Sequence, residues 1–528
     1  MPGVSSFRSI LFRAARGALA GVLAAFTALA VAELVAGLVR PAAGPVTVVG
    51  GSVIDRTPAA VKDFAIRTFG ENDKTVLQLG ILAMLAVLAV GVGILALSHR
   101  RSGAAGVLLF GLVGSAAALS RPDSTGIGDA LPSLTGAFAG AVALYVLAAK
   151  AVRGPGADSE GQGAQGWSRR GFLAAAGVTA VAAGSAGALG RYFTSRQGQG
   201  AVASRTSLVL PTPASPAPTL PAGVQLKVAD ISPFTTPNSD FYRVDTALSV
   251  PKVDAGTWQL RIHGKGVTRP RSYRLDQLLA YPLIERDITL TCVSNEVGGP
   301  YVGTARWLGV PLADLLKEAG VRPPSRGGTA DQLVARSVDG MTLGSPVEDV
   351  MDGRDAMLAV GMNGQPLPFD HGFPVRMLVP GLYGYVSACK WITDIELTTF
   401  DAYDPYWVKR KWARLAPIKT QARIDTPKPF ARPAAGTITV AGVAWAQHRG
   451  ITRVEVRIDD GSWQDTDLAP QATVDTWRQW SYRWNAEPGG HTITVRATDG
   501  TATVQTEQRA RTIPDGASGW HSVFVTVP

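Results

Sequence analysis

Cys292 stands in the run Leu290-Thr291-Cys292-Val293-Ser294-Asn295-Glu296-Val297-Gly298-Gly299 and is one of two cysteines among 528 residues. The run predicts a short strand passing into a polar, glycine-ended turn, so a rigid element would deliver the thiol to an open loop. Thiolate sulfur is a soft ligand for soft or highly charged metals, and free backbone N–H groups in such a turn can hydrogen-bond the sulfur and fix its direction. The alternative for a single cysteine among apolar residues is to pack as a small hydrophobe. Cys389, just ahead of Lys390-Trp391, is expected to do so. Two cysteines are too few for a disulfide framework, and both are expected to stay unpaired.

Several other blocks accompany this turn. Upstream lies Thr236-Pro237-Asn238-Ser239-Asp240-Phe241-Tyr242-Arg243. Downstream come Ala305-Arg306-Trp307-Leu308-Gly309-Val310-Pro311-Leu312, then Met362-Asn363-Gly364-Gln365-Pro366-Leu367-Pro368-Phe369-Asp370-His371-Gly372-Phe373-Pro374-Val375-Arg376, and finally Lys390-Trp391. In this order and spacing they resemble the sulfite oxidase family of molybdopterin-dependent oxidoreductases over roughly residues 225 to 425, with a C-terminal partner domain from about 430.

The resemblance implies roles position by position. One cysteine thiolate, here Cys292, and the dithiolene of the pyranopterin hold molybdenum, and the cofactor carries the two-electron oxygen-atom chemistry. Arg376 and Lys390 match positions that contact the pterin or its phosphate, which suits a planar guanidinium fork and a point charge. His371 matches a histidine that hydrogen-bonds the cofactor. Phe241, Tyr242 and Arg243, with Asn238 just before them, match the stretch that lines the cofactor near the metal. Arg306 matches an arginine facing the substrate oxyanion, and is counted with Cys292 and Arg243 as catalytic. Asp339, in Ser337-Val338-Asp339-Gly340, matches an acidic cofactor contact. Two positions depart from the family. Asp245 stands where a histidine is usual, changing the local charge, and Trp412 takes the place expected for a tyrosine after the Lys-Trp block.

The elements that must position these residues follow from patterning. Residues 1 to 222 carry 18 Lys+Arg against 9 Asp+Glu, whereas residues 223 to 528 carry 33 against 32, so the +10 excess lies almost wholly in the first part. The charges there flank long apolar stretches, as in a membrane protein obeying the positive-inside bias, and this argues against nucleic acid. Five stretches are apolar enough to span a bilayer, near 17–39, 75–98, 103–120, 131–149 and 172–190. Arg8, Arg13 and Arg16, the His99-Arg100-Arg101 turn, and Lys150, Arg153, Arg169 and Arg170 are expected to be cytoplasmic. The loop from about 40 to 74 balances Arg56, Lys62, Arg67 and Lys74 against Asp55, Asp63, Glu71 and Asp73, and is expected outside. Everything after residue 190 is then extracytoplasmic.

Ser168-Arg169-Arg170-Gly171-Phe172-Leu173 resembles the bacterial twin-arginine export motif; the alternative is an ordinary basic flank. Export of a folded domain suits a cofactor loaded in the cytoplasm. Ala186-Gly187-Ala188 and Ala201-Val202-Ala203 resemble small-residue cleavage sites.

The expected organisation is a transmembrane helical region over 1–196, a Pro/Gly/Ser-rich extended linker over 197–222, an α+β molybdopterin-binding domain over 223–428, and an immunoglobulin-like β-sandwich over 429–528. The sandwich follows from period-two runs such as Val454-Glu455-Val456-Arg457-Ile458 and Thr492-Ile493-Thr494-Val495-Arg496, with turns at Asp459-Asp460-Gly461 and Pro488-Gly489-Gly490. It resembles the family's dimerisation domain, which implies a homodimer. No Cys-x-x-Cys-His run occurs and none of the six histidines lies within an apolar stretch, so haem is not expected and electrons must go to an external carrier, a cytochrome or a quinone-linked partner. Glu33, inside the first span, suits a quinone or proton contact, or a helix-packing role. The leading function is sulfite oxidation to sulfate at the extracytoplasmic face. The alternatives are an S-oxide or N-oxide reductase of the same family, and a cell-surface binding protein that has lost the cofactor.

Overall fold

The computed structural model describes residues 3–58, 61, 64, 68–69, 73–152 and 167–528, which separate into two compact units. Lys62, Asp63, Arg67, Glu71 and Arg153 of the topology argument lie outside the described residues.

The first unit, residues 1–200 with 246–250, is helical. Its helices are α1 (Gly3–Val39), α2 (Pro45–Arg56), α3 (Asp73–Ser98), α4 (Arg100–Ser120), α5 (Leu131–Val152) and α6 (Trp167–Ser207), the last running on into the second unit. Among the described residues, five helical segments are long and apolar enough to cross a membrane: Leu11–Val39, Lys74–Ser98, Arg100–Ser120, Ile127–Val152 and Gly171–Ser207. Because bilayer-spanning helices gain little from hydrophobic contact with one another, close approach of their backbones matters more. Gly21 provides it, since a Cβ there would lie 1.9 Å from Ala89 O on α3. Arg40, one residue beyond α1, pairs with Asp123 at 2.8 Å and Asp129 at 2.7 Å, tying that end of α1 to the turn between α4 and α5. Those two ends therefore share one side of the helical unit.

One expectation fails here. Residues 197–207, expected to be extended, continue α6 as helix. No proline occurs in that stretch, and Gln, Ala and Arg are adequate helix formers. The helix stops before Pro211, which pushes the preceding residue out of the helical region.

The second unit, residues 201–245 and 251–528, is α+β followed by a sandwich. One mixed sheet has the order β2-β1-β10-β5-β6, built from β1 (Gln259–Gly264), β2 (Arg271–Arg274), β5 (Gln332–Ser337), β6 (Thr342–Pro346) and β10 (Ile392–Thr398), with β1 and β10 parallel. The other has the order β3-β4-β7-β8, from β3 (Ile284–Thr291), β4 (Val302–Pro311), β7 (Met357–Met362) and β8 (Gln365–Pro366), with β9 (Arg376–Leu378) also on β7.

The sandwich packs the sheet β11-β12-β16-β15 on the sheet β14-β13-β17-β18. Its strands are β11 (Gln421–Thr426), β12 (Gly436–Trp445), β13 (Ile451–Ile458), β14 (Gln464–Asp465), β15 (Asp467–Leu468), β16 (Arg478–Ala486), β17 (Gly489–Asp499) and β18 (His521–Val527). Since β11 pairs with β12, the sandwich begins at 421, not at 429. Val443, Trp445 and Trp477 of the sandwich belong to the same buried core as Leu260, Val310 and Ile395 of the α+β part. The two parts thus share one core.

Candidate active site

β3 and β4 form an antiparallel hairpin in register from Ile284↔Gly309 to Thr291↔Val302. Cys292 is the first residue of its connecting loop. Its N–H donates to Tyr301 O at 3.0 Å, its carbonyl accepts from Asn295 N at 3.0 Å, and Asn295 Oδ1 accepts from Tyr301 N at 2.8 Å. The loop is therefore closed by its own hydrogen bonds, with the cysteine at its root.

Strand alternation separates two faces of this hairpin. Ile288, Leu290, Ala305 and Trp307 lie on one face and pack with Phe241 and Phe373; Cys292 continues that face. Asp287, Thr289, Thr304 and Arg306 lie on the other.

On the Cys292 face, the sulfur is 2.9 Å from Ser294 Oγ. Burial pushes the thiol pKa up, while the Ser294 hydrogen bonds and the nearby Lys390 charge pull it down. Burial raises the pKa of the Tyr242 and Tyr383 phenols, and both lie close enough to Cys292 for its thiolate form to raise them further. Phe241 stacks on Tyr242 at 5.2 Å and meets Trp307 and His371 edge-on at 5.8 and 5.4 Å. His371 Nε2 lies 3.2 Å from Asn238 O. Because a carbonyl only accepts, that nitrogen carries the proton, leaving Nδ1 as an acceptor. Burial and the neighbouring Arg376 push the His371 pKa down to about 4, so the ring is neutral near pH 7.

Arg376, the first residue of β9, is 5% exposed, and its guanidinium lies 5.0 Å from the Trp307 ring centroid. Its Nη1 donates to His371 O at 3.2 Å, but its buried Nε has no hydrogen-bond partner among the described residues. Burial pushes its pKa down to about 10. Lys390 Nζ is 2.7 Å from Asp245 Oδ2 and 3.1 Å from Asp370 O, yet burial and the charges of Arg376 and Arg243 still push its pKa down to about 8. Arg243 reaches the same Asp245 oxygen at 2.9 Å and Asp370 at 2.9 Å. Asp339 accepts from the Ser337 hydroxyl and from Met341 N at 3.3 Å; burial raises its pKa, with Asp245 and Lys390 close enough to act on it.

Asn238, Phe241, Tyr242, Arg243, Asp245, Cys292, Asp339, His371, Arg376 and Lys390 are thus linked by contact or charge. Arg306 is not among them. It lies on the opposite face, where Nε and Nη2 pair with Asp287 at 3.0 and 2.8 Å. Trp412 packs on Tyr385 at 5.5 Å and on Trp407 at 6.0 Å. Three contributors carried no sequence assignment. Ser294 meets the sulfur, Tyr383 lies within its field, and Asn363, donating to Asn238 Oδ1 at 2.8 Å and Thr236 O at 3.0 Å, fixes the Asn238 segment. Ser294 follows Cys292 by two residues and was the one with a local signal.

These residues fit an anionic cofactor that brings metal ligands with it. Among the described residues no group of three His, Cys, Asp or Glu side chains is placed to hold a metal, so a metal on Cys292 needs its other ligands from elsewhere, as a dithiolene supplies. A buried guanidinium with an orphaned Nε beside a buried ammonium, both with lowered pKa, suits an anionic group.

A family pattern described as oxidoreductase molybdopterin binding domain matches residues 247–407, and one described as bacterial Ig domain matches residues 421–495. The fold and site therefore define a molybdopterin-binding oxidoreductase joined to an immunoglobulin-like domain. Sulfite oxidase of Gallus gallus is 30% identical over 323 residues, covering 52% of this chain and 69% of that protein. Mitochondrial sulfite oxidase of Mus musculus is 30% identical over 342 residues, covering 56% of this chain and 62% of that one. Nitrate reductase [NADH] 1 of Oryza sativa subsp. japonica is 28% identical over 336 residues, covering 52% of this chain and 36% of that protein. The chain belongs to the sulfite oxidase family of molybdopterin-dependent oxidoreductases, and its match spans less than two thirds of the mouse relative's length.

Proposed function

We propose that this chain is a membrane-anchored oxidoreductase that carries molybdenum-molybdopterin outside the cytoplasm and oxidises sulfite to sulfate, with water as the oxygen source. Sulfite and water give sulfate, two protons and two electrons, and the electrons pass to an external carrier, a cytochrome or a quinone-linked protein. When bound, the cofactor supplies the two-electron redox change and the oxygen-atom transfer. The observation that carries the reading is the orphaned Nε of buried Arg376 beside Lys390 on the Cys292 face.

The chain's own residues do the rest. Cys292 offers sulfur, with Ser294 able to donate to it once the thiol is ionised. Arg376 and Lys390 hold the anionic end of the cofactor, and His371, kept neutral, offers an acceptor at Nδ1. Phe241, Tyr242 and Trp307 exclude water and so strengthen these charged contacts. Arg243, paired with Asp245 and Asp370 and with 30% of its side chain exposed, is the cation we assign to an arriving oxyanion.

The positive-inside charges and the Ser168–Leu173 motif support an extracytoplasmic catalytic domain exported already folded. The sandwich's likeness to a dimerisation domain supports a homodimer.

A second reading, reduction of an S-oxide or N-oxide, is favoured by one observation. Arg243 is shared between Asp245 and Asp370, and Arg306 is turned away, so the positive charge available to an oxyanion is reduced. Assays with an artificial dye separate the two. Sulfite-dependent dye reduction supports oxidation; its absence, with rapid sulfoxide or N-oxide turnover on reduced dye, supports the reverse. A cofactor-free binding protein would contain no molybdenum and would be indifferent to Cys292→Ser.

A further inference from the structure

The residues facing the hairpin from behind belong to the sandwich. Gln447, fully buried just after β12, donates from Nε2 to Thr289 O at 2.9 Å and to Thr291 Oγ1 at 2.9 Å. Trp477 N donates to Thr289 Oγ1 at 2.7 Å, and Thr289 N donates to Asp475 O at 2.9 Å. The last strand residues before Cys292 thus share four hydrogen bonds with the sandwich, three donated by it and one accepted.

The far end of the loop is held as well. Arg423 on β11 donates from Nη1 to Gly299 O at 2.8 Å, and is itself set by Asp425 at 2.7 Å and Ser232 at 2.8 Å. The His521 ring, accepting from Ile424 N at 3.0 Å, lies against Gly298; a Cβ there would sit 2.3 Å from the ring, and the φ of +80° also selects glycine.

We propose that the immunoglobulin-like sandwich positions the Cys292 loop, with Gln447 and Arg423 as the positioning residues that aim the sulfur at the cofactor. This rests on the reading of Cys292 as the metal ligand. The geometry gives the reason. Side chains of a strand alternate, so fixing Thr289 and Thr291 from the sandwich face directs Leu290 and Cys292 to the opposite face, where Phe241, Trp307 and His371 lie. Gln447 Oε1 is buried with no hydrogen-bond partner among the described residues. An apolar side chain of that shape would avoid this cost, so the two donated bonds are what glutamine adds.

The test uses the full-length chain in detergent, purified from a host unable to make pterin, with alkylation of Cys292 and Cys389 followed separately by peptide mass spectrometry. Gln447→Leu keeps the volume and removes both donors, and should raise the Cys292 rate at least about fivefold, the population change expected for a lost buried hydrogen bond, with Cys389 unchanged. Val525→Ala, a buried sandwich residue away from the loop, should lower the melting temperature without raising the Cys292 rate. If Gln447→Leu does not fold, Thr291→Val removes one acceptor from the other side and should act in the same direction. An unchanged Cys292 rate in the variant, or an equal rise in Val525→Ala, overturns the proposal. Because this readout needs no metal, it is independent of the cofactor reading, which fails if wild-type chain from a pterin-making host holds no molybdenum. In metal-loaded chain, Gln447→Leu should also alter the molybdenum electron paramagnetic resonance signal, and Val525→Ala should not.

Discussion

The Asp245 carboxylate and the Lys390 ammonium lie 2.7 Å apart with side chains 5% and 11% exposed, and Arg243 reaches the same carboxylate oxygen at 2.9 Å. One acid therefore separates two cations that would otherwise repel each other beside Arg376. Where the family usually has a histidine, this chain has a full negative charge, so part of its cationic pocket is neutralised before any substrate arrives.

Asp245→Asn should destabilise the cofactor-free chain by about 3–5 kcal/mol, because it leaves the buried Lys390 ammonium without its carboxylate, while Arg243 keeps Asp370. Adding Lys390→Met to that variant should recover most of the loss. Denaturant midpoints of the two variants and the wild type check this, and an unchanged midpoint in Asp245→Asn would count against the pairing.

Arg376→Met should have opposite effects on stability and on cofactor. Without its anion, Arg376 is a buried charge with an orphaned Nε, so the methionine should stabilise the cofactor-free chain by about 1–3 kcal/mol. Pterin retained per chain should fall by at least about tenfold, given a lost charge-assisted contact. Melting temperature and pterin fluorescence after oxidation measure the two.

Lys390 links cofactor retention to pH. Its ordinary value is 10.5 and its folded value about 8, so between those the unfolded chain binds more protons and stability of the cofactor-free protein rises with pH. The rise should total about 3 kcal/mol and vanish in Lys390→Met. Retention of the anionic cofactor should move the other way, falling as pH passes through 8 and the ammonium loses its proton. Thermal melts and pterin content across pH 7 to 11 test both slopes.

Arg306→Met should leave the KM for sulfite within about twofold and cost about 1 kcal/mol of stability, the scale of a partly exposed pair. Arg243→Met should raise KM by about tenfold or more, as loss of a charge-assisted contact to substrate. Steady-state kinetics on both variants decide which arginine faces the substrate.

Much of this site was legible because its residues sit in local blocks. The strand-to-turn context of Cys292, the His371–Arg376 segment and Lys390-Trp391 each keep their chemistry within a few residues. Thr304-Ala305-Arg306-Trp307 alternates polar and apolar residues, which sets Arg306 on the face opposite Ala305 and Trp307; that Cys292 continues the Ala305–Trp307 face follows only from the pairing of β4 with β3, which lies outside the local block. Tyr383 reaches the site only through tertiary packing, with nothing near it in sequence pointing there, whereas Asn363 lies within the Met362–Arg376 block but its bonds to Asn238 and Thr236 are made across the fold. The helix through Ser207 escaped notice because small and polar residues resemble a linker as much as a helix end. The five spans and the period-two strands were plain, since each rests on composition within one segment.

We propose that sulfur from Cys292 bonds molybdenum. X-ray absorption at the molybdenum edge, on wild-type and Cys292→Ser chains made in a host that synthesises pterin, tests it most directly. The account predicts one fewer sulfur neighbour of the metal in the serine variant. An identical sulfur shell in both proteins, or no molybdenum in the wild type, would contradict it.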